Sequence, residues 1–106
     1  MGVDERLIDE IVRRILSVAE PDRVVLFGSA ATGAMNADSD IDLLVLEKAP
    51  KDPRRESVAV RSALRGLGVA FDVIVMRTER FEESKDIVGG LAYPAYRQGK
   101  VIYAAA

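Results

Sequence analysis

Three short apolar runs, at residues 24–27 (VVLF), 41–46 (IDLLVL) and 71–76 (FDVIVM), constrain what this chain can fold into. Each is rich in β-branched residues, too short for a helix and bounded by breakers, the pattern of strands buried on both faces. Gly28 ends the first run, and Lys48, Pro50 and Pro53 close the second, since proline cannot continue a central ladder.

Helical periodicity fills the intervals. Leu7, Ile8, Ile11, Val12, Ile15 and Leu16 recur at spacings of three and four, which predicts an amphipathic helix over residues 3–18 stopped by Pro21 and Asp22. Val60, Ala63, Leu64 and Leu67 predict a second helix over 54–67, stopped by Gly66 and Gly68, with Arg54, Arg61 and Arg65 on another side. The tail over 86–97 reads as a helix started late or kinked by Gly89, Gly90 and Pro94, with a short VIY strand after it. Without repeats, linkers or low-complexity segments, 106 residues with 49% hydrophobic content predict one α/β domain spanning 1–106 around a small sheet.

Composition narrows the chemistry. Cysteine and histidine are both absent, which removes disulfides, thiolate nucleophiles, the usual transition-metal ligands and the near-neutral acid–base catalyst. A net charge of -2 gives no global attraction to nucleic acid or anionic membrane, so a nucleic-acid partner is disfavoured. No apolar run approaches a membrane span and the acidic start MGVDER has no signal-peptide core, so a cytoplasmic location is expected.

Carboxylates inherit the remaining chemistry, and the loop 27–42 (FGSAATGAMNADSDID) concentrates them. Alternation along a strand puts Asp40 and Asp42 on one face, with α-carbons about 6.5 Å apart. Asp72, one residue into the third run, joins them if the third strand pairs beside the second. Two carboxylates about 5 Å apart repel by roughly 3 kcal/mol at an effective dielectric of about 20, so three acids call for a cation. All-oxygen ligands select magnesium or manganese. A D-x-D alone is common, and acids at strand starts are often simply solvated. Upstream, Gly28 lets a phosphate approach the backbone, and Ser29 offers a hydroxyl and an amide. Competing motifs fail: Ala34 and Met35 follow Gly33 where a Walker loop has Lys and Ser or Thr, and Leu43 and Ala49 replace the Gly and Glu of an EF-hand.

The residues GSAATGAMNADSDIDLLV, followed by a third acid in FDVIV, resemble the signature of the DNA polymerase beta-type nucleotidyltransferase superfamily. The leading helix and the ending YRQGKVIY are similar to the minimal nucleotidyltransferases (MNT family) that prokaryotes encode beside HEPN-domain proteins. The resemblance implies a polymerase beta-like palm, a small mixed β-sheet with flanking helices. It implies Gly28, Ser29 and Ser39 at the nucleotide, and Asp40, Asp42 and Asp72 as catalytic residues holding two Mg2+ ions, or Mn2+. Two metals activate the nucleophile and stabilise pyrophosphate without any histidine. The implied activity is transfer of AMP, or another NMP, from ATP to a hydroxyl, with a tyrosine of a partner HEPN toxin as acceptor and an antitoxin role. Two alternatives share these residues: a binding module that neutralises its partner by occlusion, and a small-molecule transferase of the aminoglycoside type. One departure bears on turnover, because Thr32 stands where many minimal members have arginine in G-S-x-A-R-G.

Overall fold

The computed structural model describes residues 4–28, 40–87, 97 and 99–105. Helix α1 (Glu5–Leu16) starts where the Asp4 side chain accepts from the Arg6 amide at 2.7 Å, and its apolar stripe buries Ile11 and Ile15. Strand β1 (Arg23–Phe27) follows, then β2 (Ile41–Glu47), helix α2 (Pro53–Ala63), β3 (Phe71–Arg77), helix α3 (Thr78–Ser84) and β4 (Lys100–Ala104). The four strands form one mixed sheet in the order β3-β2-β1-β4. β1 is antiparallel to both its neighbours, and β2 and β3 run parallel, joined by α2 as the crossover helix.

Alternation sorts the sheet into two faces. Val24, Leu26, Ile41, Leu43, Val45, Phe71, Val73 and Val75 point toward α1 and α2, where they pack with Ile11, Ile15, Val60 and Leu64. Val25, Leu44, Leu46 and Met76 point the other way and are covered by Phe81 of α3. Burial on both sides is why the three central strands read as continuous apolar runs.

Helices α1 and α2 are both shorter than in the sequence reading, α2 most at its end. α2 is capped by Asp52, which accepts from the Arg55 amide at 3.2 Å, and it ends at Ala63 rather than at residue 67. The chain turns there through Gly66 (φ +86) and Gly68 (φ +79), left-handed positions that cost glycine little. Leu64 stays buried and Leu67 packs on the core, so their spacing continued the apolar pattern past the helix end. The Arg14 guanidinium of α1 donates to the Ala63 and Arg65 carbonyls at 3.3 and 2.7 Å, which ties the end of α2 to α1.

Helix α3 has no counterpart in the sequence reading. Its seven residues, TERFEES, offer one buried apolar side chain, Phe81, and no side-chain cap. Tertiary contacts hold it instead: Thr78 Oγ1 donates to Asp22 Oδ2 at 2.7 Å, Arg23 pairs with Glu82 at 2.6 Å, and the Arg23 guanidinium lies 5.4 Å from the Phe81 ring centroid. The expected tail helix lies almost wholly outside the described residues, while the short last strand is present as β4 at the sheet edge.

Candidate active site

The start of β2 carries the acids. Asp40 is exposed just before the strand, and Asp42, its second residue, is half-buried on the α3 side of the sheet. The parallel register sets Asp42 directly beside Asp72, and the antiparallel register sets Phe27 on its other flank. Phe27, Asp42 and Asp72 therefore form one row across three strands, with Val25, Leu44 and Ile74 as the next row. Pairing of the second and third strands thus brings Asp72 to the D-x-D. Phe27 was not singled out from the sequence, and its place beside Asp42 follows only once the β1–β2 register is known.

Gly28 ends β1 with φ +70, and an added β-carbon would stand 2.2 Å from Asp42 Oδ2. The carboxylate occupies the space that any other residue at 28 would fill. Gly28 thus serves twice, by adopting a left-handed conformation and by leaving room for the acid. Ser29 and Ser39, together with Asp38, Thr32 and Gly33, lie outside the described residues.

Burial first, and then the charges of Asp72 and Asp40, lifts the Asp42 carboxyl above the ordinary carboxylate value. Asp42 thus feels both of its neighbours, although among the described residues no three acidic side chains form a ready-made metal cage. The oxygen-only donor set and the accumulated negative charge suit a hard divalent ion, for which Asp40, Asp42 and Asp72 are the candidate ligands. Arg61 and Arg65 line a hollow with Phe71, whose side chain belongs to the opposite face from Asp72. They therefore do not stand in for the arginine missing at Thr32.

A family model described as a nucleotidyltransferase domain matches residues 5–92, and the chain belongs to that family. Solved structures share its fold. A chain of a toxin-antitoxin crystal structure with AMP-PNP is 22% identical, with a TM-score of 0.63 over 92% of this chain and 73% of that one. A chain from the complex of tri-AMPylated Shewanella oneidensis HEPN toxin with MNT antitoxin is 18% identical, with a TM-score of 0.62 over 95% and 72%. A third, at 18% identity and a TM-score of 0.65 over 92% and 73%, comes from a mutant of the MntA-HpeT toxin-antitoxin in which two aspartates two positions apart are replaced by glutamate. Among curated proteins, none matches the sequence. The mixed palm and the resemblance to minimal nucleotidyltransferases are in accord with these neighbours.

Proposed function

We propose that this chain, acting as one unit, is a Mg2+-dependent nucleotidyltransferase that moves AMP from ATP to a hydroxyl, a tyrosine of a HEPN-domain partner, and thereby acts as an antitoxin. The observation that carries the reading is the acid row beneath Gly28: Asp42 in register with Asp72, its carboxylate in the space a side chain at 28 would need. Such a row suits phosphoryl chemistry, where positioning and charge neutralisation do most of the work. The acceptor oxygen attacks the α-phosphorus, the bond to the bridging oxygen breaks, and pyrophosphate leaves. Asp72, exposed beside Asp42, helps take the acceptor's proton; Asp40, Asp42 and Asp72 would hold the ions, and Gly28, Ser29 and Ser39 the phosphates. When bound, two divalent ions would activate the acceptor and neutralise the phosphates. Support for the partner comes from the HEPN toxin and MNT antitoxin named for a structure of the same fold, and for the D-x-D from the paired aspartates altered in another.

Thr32 and the far-side position of Arg61 and Arg65 favour one second reading, a catalytically weak module that occludes its partner. Labelled ATP, Mg2+ and the product of the neighbouring gene separate the two. Label on the partner that vanishes with Asp42→Ala supports transfer. Neutralisation that survives Asp40→Ala combined with Asp42→Ala, without label, supports occlusion.

A further inference from the structure

A second group of acids lies at the opposite end of β2. Glu47, the last residue of the strand, is only 8% exposed, although a glutamate is rarely buried unpaired. It meets Glu56 in the first turn of α2, where a proton links the two carboxyls, and when both are ionised their buried Oε2 atoms have no hydrogen-bond partner. Both line a hollow of about 470 Å³ with Glu20, Lys51 and the segment Leu16 to Ala19. Asp22 adds further negative charge near Glu47. Lys51 makes no hydrogen bond to either buried oxygen.

We propose that this hollow is a docking pocket for an arginine side chain of a partner protein, whose guanidinium bridges Glu47 and Glu56. Two facing carboxylates match the planar fork of guanidinium, which presents five N–H donors and is weakly hydrated. Glu47 and the Oε2 of Glu56 are already out of water in the free chain, so binding adds the charge-assisted bonds at a reduced desolvation cost. Leu16 and Val18, 41% and 47% exposed, supply the argument for a protein rather than a free cation. A small cation leaves them bare, whereas apolar residues flanking an arginine cover them. Burial and the Glu56 carboxyl push Glu47 up to about 7, so the empty pocket favours a proton there below that pH, and the guanidinium displaces it. Glu47 lies about 16 Å along β2 from Asp42 and on the other face, so a docked partner leaves the acid row open. The inference is independent of the catalytic reading.

The test is a ¹⁵N NMR titration of the full chain with three probes: agmatine, an acetylated Leu-Arg-Leu amide, and the same tripeptide with citrulline. The arginine peptide is expected to give saturable shifts at residues 17–20, 47 and 56. Its affinity should exceed that of the citrulline peptide by about tenfold or more, and that of agmatine by about threefold. Glu47→Gln and, separately, Glu56→Gln should each weaken it about tenfold with the rest of the spectrum unchanged. Equal binding of the citrulline peptide, indifference to both substitutions, or no saturable binding would overturn the proposal. Agmatine binding as tightly as the peptide would replace the protein partner by a free cation, and Mg2+ competing for the same amides would replace it by a metal. Either result also overturns the proposal.

Discussion

A β-carbon on Gly28 would stand 2.2 Å from the Oδ2 of Asp42, so the end of β1 and the central acid of β2 interlock. Gly28→Ala therefore does two things. It imposes a left-handed conformation (φ +70) on alanine, costing about 1–2 kcal/mol, and it drives the Asp42 carboxylate out of its place. Displacement by an ångström is enough to cost about 100-fold in transfer rate. The expected outcome is a folded protein, with Tm lowered by roughly 5–10 °C, whose labelling of an acceptor falls by at least about 100-fold. Near-normal labelling by the variant would remove Asp42 from the mechanism.

Asp42 is also where function and stability oppose each other. Burial, with Asp72 and Asp40 behind it, disfavours its charge, so removing that charge relieves the fold. Asp42→Asn is expected to raise the Tm of the metal-free protein at neutral pH. Mg2+ or Mn2+ acts in the other direction on the native chain, stabilising it by about 1.4 kcal/mol at tenfold over Kd. Asp42→Asn should lose that response. A metal response unchanged in the variant would place the ion elsewhere.

Much of this site could be read from residue order alone, because strand alternation is a local rule. Alternation predicts Asp40 and Asp42 on one face where the extended backbone carries both, and the breakers around residues 28 and 50 mark the strand ends. Asp72 was different. Its place depends on β3 pairing with β2 in parallel, a contact between residues 30 apart in sequence that periodicity does not encode. The interlock of Gly28 with Asp42 likewise needs the β1–β2 register, and the burial of Glu47 needs α2 packed over the strand end. α3 has no signature in the sequence because TERFEES has too few apolar residues to show a helical stripe. Its stability comes from partners supplied by Asp22 and Arg23, more than fifty residues earlier.

That dependence of α3 on distant partners yields its own prediction. Arg23 bridges to Glu82 and lies over the Phe81 ring, and Glu82 is held below the ordinary carboxylate range by Lys85 and then Arg23. Arg23→Ala should cost about 1 kcal/mol, the sum of a partly exposed ion pair and a cation–π contact. Phe81→Ala, which empties the cover over Leu44, Leu46 and Met76, should cost about 3 kcal/mol. Urea unfolding of the two variants gives both values. Equal losses would mean that α3 is held by charge and not by its single apolar anchor.

Glu47 makes the stability of the chain depend on pH in a direction opposite to most acids. Burial, then the carboxylate of Glu56, then Asp22 and Glu20, pushes Glu47 up to about 7, with Lys51 the one basic residue on the hollow's wall among the described residues. Its folded value lies above its unfolded one, so below the unfolded value of 4.5 both states are protonated and the group contributes no pH dependence. Between 4.5 and about 7 the folded chain keeps a proton that the unfolded chain has lost. Stability contributed by this group therefore falls as pH rises through that window and levels off above it. Glu47→Gln retains the shape and removes the titration, so its stability relative to the native chain should grow steadily from pH 5 to pH 7 by urea unfolding. A difference that stays flat over that interval would mean that Glu47 is charged and solvated in the native state, and the buried carboxyl pair would have to be abandoned.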